Sequence, residues 1–141
     1  MYIVVQMLAI DYKQKVRAKH AEIFFDGNFF FKVILDDEIE LELEDIIEQR
    51  NICQELSQNK PHVILAIAGT RTSATKEARE YSSQNVPLGR VAEAVIVKSL
   101  PVRLMGSVYI NFHKPNVPTK MFEHEKDAQD WLNSFQNRTS E

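Results

Sequence analysis

At 141 residues, with 44% hydrophobic and 26% charged side chains, the chain is about one domain long and can bury a core. Its formal charge of −3, with lysines and arginines scattered along the sequence, excludes a nucleic-acid binder that works by neutralising phosphates. A single cysteine, Cys53, excludes an internal disulfide and gives no sign of an oxidising compartment, so a cytoplasmic protein is expected.

The chain opens on "MYIVVQMLAI". This run lacks the basic start and small-residue cleavage site of a secretory signal, and it is too short to span a bilayer as a helix. Residues 1–19 are therefore set apart as an apolar N-terminal extension, a strand or a contact between two copies. No transmembrane segment is expected. In "AEIFFDGNFFFKVILDD" two apolar runs flank Asp26-Gly27-Asn28. Asp-Gly between β-prone runs is a hairpin signal, so Glu22–Phe25 and Phe29–Leu35 should pair antiparallel. Ile39, Leu41 and Leu43 alternate like a strand, after which Ile46, Ile47, Cys53 and Leu56 take helical spacing. The spacing predicts a helix over about Glu42–Gln58, with acidic residues at its start. Cys53 reads as a small apolar side chain on that helix.

"HVILAIAG" is a continuous apolar run, as in a strand covered on both faces. "TRTSATKEAREYSSQ" predicts a helix carrying Ala74, Ala78 and Tyr81, with Thr72 or Ser73 as its N-cap. "VAEAVIVKS" is a second buried strand. In the next segment Pro101 suits a first helical turn, and Val102, Met105, Val108, Tyr109 and Phe112 form an apolar stripe. Pro115 and Pro118 stop that helix. "TKMF" is a short strand that buries Met121 or Phe122. Ala128, Trp131, Leu132 and Phe135, at i, i+3, i+4 and i+7, define the inner face of the last helix, with the indole as a core anchor. Residues 138–141 read as a frayed tail. Strands alternating with helices after an opening hairpin imply a mixed α/β sheet with about four flanking helices.

This element order, together with "EAREY", "EAVIVKSLPVRLMGSVYINFHKPNVPTKMF" and "DAQDWL", resembles the SpoIIAA-like fold of STAS anti-sigma-factor antagonists. It is more similar to the bacterial STAS-like proteins of unassigned function. The likeness spans about residues 20–135, and residues 20–137 are taken as the STAS-like domain. The resemblance implies a non-enzymatic regulatory domain that binds a protein partner, a kinase-like regulator. It also implies a phosphorylated serine at the start of the helix after the third strand. The matching location is "GTRTSATKEA", where Ser73 is the nearest serine and Thr72 and Thr75 flank it. The family's Asp-Ser and Ser-Gly signature is missing there. The fold also resembles CRAL-TRIO lipid-transfer domains, which implies an alternative, a carrier of a small apolar ligand. Phe112 and Phe122 are its pocket candidates, and Phe24 and Phe29–Phe31 could line a pocket or fill a core.

No catalytic residue, cofactor or metal is expected. His20, His62, His113 and His124 show no metal-ligand spacing, and the four glycines leave no phosphate-binding loop. The acidic run from Asp36 to Glu48 reads as a solvated helix start. An enzyme would need groups distant in sequence to converge. A homodimer formed through the apolar extension is expected beside the protein partner.

Overall fold

A computed structural model describes residues 10–113 and 116–139, with side chains described for 10–106 and 116–136. Six strands form one sheet: β1 (Gln14–Arg17), β2 (Ala21–Phe25), β3 (Phe30–Leu35), β5 (His62–Ile67), β7 (Arg90–Ile96) and β8 (Thr119–Phe122). Their spatial order is β1-β2-β3-β5-β7-β8. The first three strands are antiparallel and the last four run parallel. A separate two-residue pair joins β4 (Glu40–Leu41) to β6 (Ser73–Ala74). Four helices complete the described residues: α1 (Leu43–Ser57), α2 (Lys76–Gln84), α3 (Leu100–His113) and α4 (Glu125–Thr139). The architecture is the mixed α/β sheet with an N-terminal hairpin that the sequence implies. The apolar opening, residues 1–9, lies outside the described residues, as do the side chains of Val108, Tyr109 and Phe112.

The hairpin forms where the turn chemistry put it. Gly27 takes φ +89°, and the Asp26 carboxylate accepts the N–H groups of Asn28, Phe29 and Phe30 at 2.8–3.0 Å. β1 adds a polar edge strand to it, anchored by Lys15–Glu22 at 3.1 Å and by the Arg17–Asp36 ion pair. Charged side chains on an edge discourage pairing with another chain.

Strand alternation divides the core in two. Phe30, Val63, Leu65, Ala92, Ala94 and Ile96 face α4 and meet its Ala128, Leu132 and Phe135, all buried. Trp131 packs half-buried between Phe122 and Phe135 at ring distances of 5.8 and 5.0 Å, as an inner-face residue should. On the other face Ala21, Ile23, Phe25, Phe31, Val33 and Ile64 pack under α1 around Cys53.

Two local expectations are corrected. The N-cap of α2 is Thr75, whose Oγ1 accepts the Ala78 N–H at 3.1 Å; neither Thr72 nor Ser73 caps it. Ser73 is instead in β6, because Ser73 N–H and Thr75 N–H donate to Ile39 and Leu41 carbonyls at 3.0 Å. The apolar stripe of α3 does not face the core at Val102 or Met105, which is 73% exposed. The helix turns Gly106 inward instead. A Cβ there would run into the Met121 sulfur, so glycine permits the close approach to β8.

Candidate functional site

The face of the sheet opposite α4 is incompletely filled. Val33 and Leu35 of β3, Ile64 and Ala66 of β5, and Glu93 and Val95 of β7 form a floor, and Thr119 and Met121 of β8 extend it. α1 lies over one side through Ile46, Gln49, Arg50 and Cys53, with Leu41 of β4 beside it, and β6 and α2 cover another through Ala74 and Ala78. Small side chains at Ala66, Ala68, Ala74, Ala78 and Gly106 leave the space between floor and cover open. The result is a cavity of about 390 Å³, within the range of small-molecule sites. Ser73, Arg79 and Ser82 are exposed at its rim.

Its polar groups are few and arginine-rich. Arg50 reaches from α1 to the C-terminal end of α2. It donates to the carbonyls of Asn85 and Ser82, the latter at 2.9 Å, and its guanidinium lies 5.2 Å from the Tyr81 ring centre. Cations at a helix C-terminus are favoured by the backbone dipoles, so Arg50 staples α1 to α2. Burial, and then the charge of neighbouring Arg90, push its pKa below the ordinary arginine value.

Arg90 enters the cavity through a bulge. Arg90 pairs with His62, but Val63 pairs with Ala92, so Val91 is the extra residue. Val91 and Ala92 both belong to the α4 side, which leaves Arg90 on the cavity face with Glu93. Its side chain is 6% exposed, its Nε has no hydrogen-bond partner, and Glu93 stands 4.0 Å from Nη1. Gln49 Nε2 is likewise buried without a partner.

Two further groups near this end are chemically quiet. Burial pushes the Cys53 thiol up to about 11, with Arg90's charge pulling the other way, so the thiol is protonated at neutral pH and a poor nucleophile. His62 is fully buried, its ring 5.2 Å from Phe31. Its Nδ1 lies 2.9 Å from the Lys60 carbonyl, which can only accept, so Nδ1 carries the proton. Burial lowers its pKa to about 4. Among the described residues no group of three or more His, Cys, Asp and Glu could hold a metal, and no helix is long and apolar enough to cross a membrane.

The residues singled out in the sequence fall in different places. Thr72, Ser73 and Thr75 lie within one short stretch: Thr72 Oγ1 donates to the Asp36 carbonyl at 2.5 Å, Thr75 caps α2, and Ser73 is exposed at the cavity rim. Phe122 is on the α4 side, against Trp131, and Met121 takes the cavity side. Phe29 and Phe30 fill the α4 core, Phe31 fills the α1 core, and Phe24 packs on Tyr12. Arg50, Arg90 and Gln49 were missed. Arg50 and Arg90 come from distant elements, and the only local signal was an arginine opening an otherwise buried strand.

Fold and cavity together define a mixed α/β sheet domain with a ligand-sized, arginine-edged hollow on one face. The chain belongs to the family described as "Domain of unknown function (DUF7793)", whose profile matches residues 26–136. It is similar to a solved structure described as an uncharacterized protein from the DUF3478 family with a SpoIIAA-like fold, from Shewanella loihica PV-4. That similarity is 18% identity over 84% of this chain and 90% of the other, with a TM-score of 0.48. No curated protein matches the chain.

Proposed function

We propose that the chain is a non-enzymatic binding domain that holds a small, largely apolar molecule between its sheet and helices α1 and α2. One observation carries this reading: the sheet face opposite α4 is floored by aliphatic side chains yet left hollow by about 390 Å³. Interiors otherwise pack to crystal density, and unfilled apolar space costs stability. Binding without transformation suits a site whose one thiol is held protonated, and so poorly nucleophilic, at physiological pH. A reducing, cytoplasmic setting suits one buried free thiol.

Native mass spectrometry of the full chain purified from its own host tests the reading. A reproducible small-molecule adduct is expected, and it should vanish when Ala66→Leu fills the cavity. Wild type found only at its own ligand-free mass, like the variant at its own, would contradict it.

A second reading is favoured by a specific surface. Leu100, Val102, Leu104 and Met105 of α3 are each at least half exposed, as a protein-contact surface would be. On this reading the domain is regulatory, resembles an anti-sigma-factor antagonist, and binds a kinase-like partner or a second copy of itself. Ser73 would be its phosphorylation site. Phosphopeptide mapping of "TSATK" from cells and light scattering of the full chain test it: unmodified Ser73 under several growth conditions, with a monomer mass and no co-purifying partner, would sink it.

A further inference from the structure

We infer that the occupant of the cavity is a monoanion with an apolar body, a carboxylate on a medium-length chain, its charged end held by the Arg90 and Gln49 side chains and its tail lying along Ile64, Ala66 and Val95. This deepens the proposed ligand-binding function and rests on it.

The inference starts from an imbalance of charge. Three guanidinium groups line the cavity, those of Arg50, Arg79 and Arg90, against one carboxylate, Glu93. Arg50 is committed to the carbonyls of Ser82 and Asn85, and Arg79 donates to the Ala74 carbonyl at 2.6 Å. Arg90 is different. Its side chain is more than nine-tenths buried, its nearest carboxylate oxygen is at 4.0 Å, and its Nε has no partner. A buried cation held this loosely is costly, because desolvation is offset only by close, hydrogen-bonded pairing. A buried, unpartnered N–H on a side chain that lines an apolar cavity is what an anionic ligand would satisfy.

Gln49 supplies the second donor. Gln49 lines the same cavity with its Nε2 buried and unpartnered, and it lies one helical turn before Cys53, whose thiol feels Arg90's charge. The donors therefore gather at one end and the aliphatic floor occupies the rest. Glu93 beside Arg90 argues for a single negative charge, since a dianion would face like-charge repulsion there. At about 30 Å³ per non-hydrogen atom, taking water's share of liquid volume, the cavity has room for about a dozen such atoms. A ten-carbon carboxylate fits that size.

The test is calorimetric titration of the full chain with sodium decanoate and with 1-decanol, in wild type, Arg90→Met and Gln49→Leu. In wild type, decanoate should bind at least about tenfold tighter than decanol, as charge-assisted hydrogen bonds require. That ratio should fall toward one in Arg90→Met and drop about threefold or more in Gln49→Leu. Thermal melts by circular dichroism establish that each variant folds; if Arg90→Met does not, Gln49→Leu carries the test alone. Equal affinities for the two probes in wild type would overturn the anion inference and leave the ligand-binding reading standing. So would a ratio unchanged in the folded variants. Binding of neither probe would overturn both.

Discussion

On the α4 side of β5 and β7, Val63, Leu65, Ala92, Ala94 and Ile96 meet Ala128, Leu132 and Phe135, and every one is buried. On the other side of the same strands, Ile64, Ala66, Glu93 and Val95 look into a cavity with a loosely paired arginine at one end. Backbone, strand order and register are shared, so the difference comes from the side chains laid over each face. α4 brings a leucine, two aromatic rings and a central alanine that lets it sit close. The other cover brings Ala74, Ala78 and Gly106, too small to reach the floor. One face makes the domain stable, and the other is available to hold something.

The largest effect should come from breaking the filled face. Leu132→Ala leaves a void in a fully packed site and should cost about 3–4 kcal/mol in urea denaturation, whereas Val95→Ala, at a wall already facing open space, should cost under about 1 kcal/mol. Equal costs would mean that the two faces are packed alike.

Next in size is a dependence on pH seated on the hollow side. Folded His62 has its pKa lowered from 6.5 to about 4, so the unfolded chain binds more protons between those values. Its contribution is fully present above about pH 6.5 and is lost as pH falls through that window. By pH 4 about 3 kcal/mol should be gone. The difference in denaturation curves between wild type and His62→Phe isolates this residue, and parallel pH profiles for the two would contradict the assignment.

The third effect sharpens the comparison with one substitution made twice. Ala94→Leu forces bulk into the α4 core and should destabilise by about 1–3 kcal/mol. Ala66→Leu projects into the cavity and should be neutral to within about 0.5 kcal/mol or stabilising. Smallest is the cap of α2: Thr75→Ala should cost about 1 kcal/mol and Ser73→Ala, at the cavity rim, less than about 0.5 kcal/mol in the same assay.

The filled face was legible in the sequence, and the hollow one was not. Asp26-Gly27-Asn28 between phenylalanines announces its turn, because the signal is local. Ala128, Trp131, Leu132 and Phe135 announce an inner helical face for the same reason. The N-cap of α2 was misplaced because three hydroxyl residues precede the helix. The one that caps is decided by β6 pairing with β4, more than thirty residues away in the chain. The stripe on α3 was legible but its direction was not, because period tells which residues share a face, not which way that face turns. A strand was one of the options for residues 1–19, but its place at Gln14–Arg17 leaves little local signal, because "QKVR" is polar, as an edge strand can be. The cavity depends on a bulge that moves Arg90 across the sheet and on alanines whose effect appears only once two elements are stacked. Neither leaves a pattern in a linear reading.

The central claim is that one face of the sheet is open to a small apolar guest and the other is closed. Xenon enters apolar cavities without regard to charge, so methyl NMR of the full chain under xenon pressure tests it most directly. Saturable shifts at the methyls of Ala66, Ala78 and Val95, with Ala128 and Leu132 unmoved, are predicted. Shifts equal on both faces, or absent from the cavity, would contradict the account.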